Sequence, residues 1–99
     1  MLSADDISAI REEVRRLRRR AGNVRYREVE PLLDRIRDRR GGGKEPFVWT
    51  TRVGTRGFPI TVPRHPKPLT RGTLRKILDQ VDADLDAMET EQSAEEGGS

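Results

Sequence analysis

The apolar residues of this chain recur at helical or strand intervals and almost nowhere else, and that placement limits the fold. Ile7, Ile10, Val14, Leu17 and Ala21 follow one another at steps of 3, 4, 3 and 4. These steps align all five along one narrow stripe of a helix. Val29, Leu32, Leu33 and Ile36 form a second helical face, and Leu74, Ile77, Leu78, Val81, Leu85 and Met88 a third. Between them the period drops to two. Phe47, Trp49, Thr51 and Val53 alternate with Val48, Thr50 and Arg52, and Phe58, Ile60 and Val62 alternate again after the turn Gly54-Thr55-Arg56-Gly57. Only 32% of the 99 residues are hydrophobic and 37% are charged, so a core has to be drawn from these stripes. The order read from them is α-α-β-β-α, with a further short strand near the glycine run. That is an α+β fold with a two- to three-stranded antiparallel sheet and helices on one face.

Local signals set the boundaries. Ser3 caps a first helix running to Ala21, with Asp5 and Asp6 in its first turn and Gly22 at its end. Pro31 is tolerated in a first turn, which predicts that the second helix begins near Arg27 or Glu28 and runs to Arg40. Gly41-Gly42-Gly43 reads as a flexible joint; the following Lys44-Glu45 does not complete a phosphate-binding glycine loop. Pro59 within the last strand places that strand at a sheet edge. Three prolines hold residues 63–68 extended, and Thr70 caps the last helix. Residues 90–99 are polar, acidic and glycine-ended, a composition that predicts disorder. The expected division is an extra amphipathic helix over 1–22, an α+β domain over 23–89 and an acidic tail over 90–99.

Several function classes are excluded. No apolar run approaches the roughly 20 residues that span a bilayer. The chain has no cysteine and one histidine, so neither a disulfide scaffold nor a zinc site is expected, and nothing calls for a cofactor. The first residues lack a secretion signal, which predicts a cytoplasmic protein. The formal charge of +3 conceals an uneven distribution: residues 1–78 carry +11 and residues 79–99 carry −8. Seventeen of the twenty basic residues are arginine, which grips phosphate through two parallel hydrogen bonds. A basic body of this kind predicts a nucleic-acid partner, with an acidic tail placed to shield the surface.

The candidate binding cations are Arg52, Arg56, Arg64, Lys67, Arg71, Arg75 and Lys76. The last four surround or open the final helix, where free N–H groups favour an anion. His65 is the candidate catalytic group, a general base for 2′-hydroxyl attack beside Arg64 and Lys67. Phe47 and Trp49 either stack on bases or pack in the core. The stripe Ile7, Ile10, Val14 and Leu17 either packs internally or forms a partner interface, including homo-oligomers through this helix.

Ile60-Thr61-Val62-Pro63-Arg64-His65, then Lys67-Pro68-Leu69, then Gly72-Thr73-Leu74-Arg75-Lys76-Ile77-Leu78 resemble the C-terminal half of HicA-type toxins. These are the small mRNA interferases of HicA/HicB toxin–antitoxin pairs. Arg27-Glu28-Val29-Glu30-Pro31-Leu32-Leu33-Asp34 resembles the family's first helix, so the likeness covers residues 25–82. It implies an α-β-β-β-α fold like a double-stranded-RNA-binding domain, an mRNA substrate and a HicB-like antitoxin. The family's catalytic histidine lies in a Gly-Ser-His motif on the second strand. Aligned there, this chain offers Arg56, or else Pro46 or Phe47, and His65 matches a different family histidine. The resemblance therefore implies RNA binding more directly than endoribonuclease cleavage. The alternative is a non-catalytic nucleic-acid-binding or protein-interaction module built on the basic face and the N-terminal helix.

Overall fold

The computed structural model describes residues 2–51, 58–64 and 66–97, with residues 91–97 by their backbone. Helix α1 spans Ala4–Arg19. The Ser3 hydroxyl accepts from the Asp6 N–H at 3.1 Å, and the Asp6 carboxylate accepts from the Ser3 N–H at 3.0 Å. This reciprocal pair satisfies two N–H groups that the first turn leaves unpaired. The helix ends at Arg19, short of the Ala21 that the spacing predicts, and tight turns carry the chain through Gly22, whose φ of +91° is a left-handed conformation that favours glycine.

Helix α2 spans Tyr26–Ile36, shorter at its C-terminal end than the sequence predicts. Pro31 lies beyond its first turn, because the helix already opens at Tyr26. The Glu28 carboxylate accepts from the Arg25 N–H at 3.0 Å and secures that earlier start. Arg37 turns extended at φ −134° and ψ 167°, and Asp38–Gly42 leave the helical pattern to become strand β1. The glycine run is thus part of a hairpin with strand β2, Glu45–Thr50, and not a loose joint. A Cβ on Gly41, at φ +89°, would lie 2.5 Å from the Pro46 carbonyl oxygen, so the hairpin closes only around glycine.

Strand β3, Ile60–Thr61, pairs antiparallel with β2, giving the order β1-β2-β3. It is an edge strand, as Pro59 requires. The row Arg39, Trp49 and Ile60 lies on the inner face, with Trp49 and Ile60 buried under the helices. The row Arg40, Val48 and Thr61 lies on the outer face and stays at least partly exposed. From Tyr26 onward the element order is the α-β-β-β-α that the resemblance implies.

Helix α3 spans Arg71–Gly97. Thr70 caps it, its hydroxyl accepting from the Thr73 N–H at 3.1 Å. The segment expected to be disordered from Thr90 onward is helical as far as Gly97. Ala87, Met88, Glu89, Gln92, Ala94, Glu95 and Glu96 are good helix formers, and no glycine or proline intervenes before Gly97.

One core joins the three helices with β2 and β3. Ile7, Ile10, Val14 and Leu17 of α1 are at most 2% exposed. They share a single cluster with Leu33 and Ile36 of α2, Trp49 of β2, and Leu74, Leu78 and Leu85 of α3. This corrects the partner-interface reading of Ile7, Ile10, Val14 and Leu17: the stripe is consumed inside the chain and offers no apolar seam for oligomers. Burying four aliphatic side chains contributes roughly 1.5–3 kcal/mol each, enough to make α1 integral to the fold.

Candidate nucleic-acid interface

The arginines divide by whether a carboxylate meets them. Along α1, the acidic face of α3 does so. Arg11 donates to Asp86 at 2.7 Å and to Glu89 at 3.0 Å. Arg18 donates to Asp79 at 2.8 Å and to Asp82 at 2.7 Å. Hydrogen bonds donated to these carboxylates push both guanidinium pKa values up. Arg15 and Arg16 pair with Glu12 and Glu13 one turn away, and Arg20 pairs with Glu28. The acids expected to shield a binding surface therefore serve, among the described residues, to hold α3 against α1.

A second set is internal. Arg37 and Asp84 have side chains 0% and 1% exposed. Arg37 donates to the Asp84 carboxylate through Nε at 2.6 Å and Nη2 at 3.0 Å. Its Nη1 donates to the carbonyl oxygens of Trp49 and Phe58, at 3.2 and 2.6 Å. Gln80 adds a donor to Asp84 at 3.1 Å. The network ties the end of α2, β2, the approach to β3 and the middle of α3 together with its buried polar atoms satisfied. A sequence signal existed: Asp84 stands three residues after Val81 and beside Leu85, on the apolar face of α3.

The third set lies between α2 and the sheet. Tyr26, Glu30 and Asp34 stand four residues apart and so share one face of α2. Arg64 donates to Glu30 through Nε at 2.9 Å and Nη2 at 3.0 Å. Its guanidinium carbon lies 4.4 Å from the Phe47 ring centre and 5.6 Å from that of Tyr26. Arg39 donates to Asp34 at 3.0 Å and lies 4.8 Å from the Phe47 ring and 5.2 Å from the Trp49 ring. The Trp49 indole N–H also donates to Asp34 at 2.8 Å. Burial pushes the Asp34 carboxyl up, but the hydrogen bonds from Arg39 and Trp49 outweigh it and hold the pKa below its ordinary value. The result is a column of alternating rings and guanidiniums: Trp49, Arg39, Phe47, Arg64 and Tyr26. Trp49 thus packs in the core, while half-buried Phe47 is held between two arginines.

The column ends in a cationic cluster in which, among the described residues, only Arg64 has a carboxylate ion pair. Arg25, Tyr26, Arg27, Arg64 and Pro66 line a recess of about 240 Å³ that contains no carboxylate in its wall. Neither Arg25 nor Arg27 forms a side-chain ion pair among the described residues, although the Arg25 charge helps lower the pKa of Glu28 and Arg27 lies over the Tyr26 ring at 5.9 Å. The Leu69 N–H donates to the Val24 carbonyl at 2.7 Å, which brings segment 64–71 alongside segment 22–27. Arg71 crosses beside Gly22, with its Nε 3.2 Å from where a Cβ would stand. Exposed Lys67 lies on the same segment. Arg25, Arg27, Arg64, Lys67 and Arg71 thus sit on two bonded neighbouring segments at one end of the molecule.

The sequence candidates separate accordingly. Arg64, Lys67 and Arg71 come together. Arg75 points elsewhere, 3.8 Å from Asp79, and Lys76 lines a groove with Phe58, Ile60 and Ile77 beside β3. The Thr70 hydroxyl already takes one of the N–H groups assigned to an anion at the start of α3. His65, Arg52 and Arg56 lie outside the described residues. Strand β2, which holds the second-strand position, reads Glu-Pro-Phe-Val-Trp-Thr and carries no histidine. Arg25, Tyr26 and Arg27 were not singled out from the sequence. Their signal was faint: three consecutive residues with no acid until Glu28, which Arg20 occupies. Among the described residues no group of histidines and acids suits a metal, and no helix is long and apolar enough to cross a membrane.

Comparison with protein-family models, curated proteins and solved structures found no match.

Proposed function

We propose that this chain is a cytoplasmic RNA-binding protein of the HicA-like kind, which engages mRNA through the cationic end formed by residues 22–27 and 64–71. The observation that carries this reading is the acid-free recess of Arg25, Arg27 and Arg64 around Tyr26. Arg11, Arg18 and Arg37 are matched by carboxylates, whereas no carboxylate lies in the wall of the recess, so a phosphate can form charge-assisted hydrogen bonds with Arg25 and Arg27 without displacing an ion-paired acid. The motifs over residues 60–65 and 72–78 and the +11 charge of residues 1–78 support the same reading. Binding without cleavage is favoured, because β2 carries no histidine at the position where the family places its catalytic one. A HicB-like antitoxin belongs to the same proposal as the partner that would cover this end.

The test is fluorescence anisotropy with a labelled mixed-sequence RNA at low salt, followed by electrophoresis of the recovered RNA. Wild-type protein binds and returns the RNA intact. Arg25→Glu combined with Lys67→Glu abolishes binding while circular dichroism stays unchanged. Equal binding by the double variant rejects the site, and cut RNA rejects the non-cleaving form of the reading.

A further inference from the structure

The recess also carries information about the form of RNA it takes. At about 240 Å³ it is smaller than ordinary ligand pockets of roughly 300–1,000 Å³. It has room for one phosphate or one base-sized group. Its walls supply both kinds of contact. Arg64 spends Nε and Nη2 on Glu30, which fixes the guanidinium in place and leaves Nη1 as a donor toward an added anion. Arg25 and Arg27 are exposed and flank Tyr26 in sequence; the Arg27 guanidinium lies 5.9 Å from the Tyr26 ring centre, a surface contact that an incoming base can displace. Tyr26 is half-buried against the core, so its ring is held in position and part of it faces the recess.

The distribution of charge over the rest of the molecule bears on the same question. Duplex RNA is held by contacts spread over about 16 base pairs, across two successive minor grooves, and its bases are hidden from aromatic side chains. The long face of α1 could have offered such a spread, but the acids of α3 occupy Arg11 and Arg18. Arg25, Arg27, Arg64, Lys67 and Arg71 gather on two neighbouring segments beside the Tyr26 ring, over which, among the described residues, only the guanidiniums of Arg64 and exposed Arg27 lie. Single-stranded RNA fits that pattern, because an unpaired base can leave its stack for an aromatic ring while arginines hold the adjoining phosphate.

We infer that the recess is a single-nucleotide site for unpaired RNA, with the phosphate among Arg25, Arg27 and Nη1 of Arg64 and the base against Tyr26. This rests on the RNA-binding reading above and adds the substrate class.

The experiment compares a labelled RNA of about 12 nucleotides with the same strand annealed to its complement, using wild-type protein and the variants Tyr26→Ala, Tyr26→Phe and Arg27→Ala. The expected result is at least tenfold tighter binding of the single strand. Tyr26→Ala loses about fivefold to a hundredfold of that affinity, the size of one base–aromatic stack, and Tyr26→Phe retains it. Arg27→Ala, at an exposed position, narrows the preference for single strands without altering the thermal midpoint. It keeps the test valid if Tyr26→Ala weakens the fold. Duplex bound as tightly as single strand, or folded Tyr26→Ala with wild-type affinity, overturns the inference and leaves RNA binding standing. Failure to bind either form overturns the RNA-binding reading itself.

Discussion

Arg11 and Arg25 stand on opposite sides of a simple division. Arg11 lies on α1 facing α3, where Asp86 and Glu89 meet it at 2.7 and 3.0 Å. Arg25 lies fourteen residues later, at the mouth of a recess without a carboxylate. The two are identical in composition and charge. What separates them is the supply of acid from residues more than fifty positions away in the chain. Formal charge therefore says little about where a polyanion can bind; what matters is the charge left after the fold has paired its own. Among the described residues, Arg25, Arg27, Lys67 and Arg71 of that remainder gather at segments 22–27 and 64–71, while Arg19, Arg35 and Arg40, also exposed and without an ion pair, lie outside them.

Breaking the internal pair has the largest expected effect on stability. Arg37→Met leaves Asp84 buried without its partner and is expected to cost about 3–5 kcal/mol in urea unfolding. Adding Asp84→Leu removes the orphaned charge and is expected to recover most of the loss. If Arg37→Met alone is neutral, the pair does not organise the core.

Breaking the α1–α3 pairs has a smaller effect. Arg11→Ala and Arg18→Ala are each expected to lower stability by about 0.2–1 kcal/mol, since their partners are partly exposed and screened by salt. Both variants leave RNA affinity unchanged. A loss of RNA affinity comparable to that of Arg25→Ala would erase the division between paired and unpaired arginines.

The smallest effect is an acid transition reported by Trp49, the single tryptophan. Asp34 has a pKa below its ordinary value in the folded state because Arg39 and Trp49 donate to it. A group with a lowered folded pKa contributes stability above its unfolded pKa and loses it as pH falls through the folded one. Trp49 fluorescence is therefore expected to change at a pH below the usual aspartate range, near 3.9. Asp34→Asn abolishes that transition. A midpoint at the ordinary value would show that the indole and guanidinium contacts do not hold the carboxylate.

Much of the fold was legible in the sequence because it depends on local periodicity. The Ser3 cap and the three apolar faces follow from spacing; the sheet register does not, since a turn at 54–57 would set Ile60 opposite Thr51, whereas Ile60 pairs with Trp49. The exit from α2 did not. Arg37, Asp38, Arg39 and Arg40 read as one more helical turn, and only the long-range bonds of Arg37 to Asp84, Trp49 and Phe58 pull the chain into β1. The candidate site was half legible for the same reason. Arg64, Lys67 and Arg71 lie in a motif, whereas Arg25 and Arg27 join them through the Leu69–Val24 hydrogen bond between segments forty-five residues apart. The narrow stripe on α1 was ambiguous from spacing alone, since an internal face and a partner face look alike until α3 is placed.

The most direct test of the division is the salt dependence of RNA binding in two double variants. Wild-type affinity for a single strand is expected to fall linearly on a log–log plot against salt, with a slope of about −0.7 per phosphate contact. Arg25→Ala with Arg27→Ala is expected to make that slope shallower by about 1.4. Arg11→Ala with Arg18→Ala is expected to leave it unchanged. Equal reductions in both variants, or a slope unaffected by losing Arg25 and Arg27, would contradict the claim that unpaired arginines at one end form the RNA site.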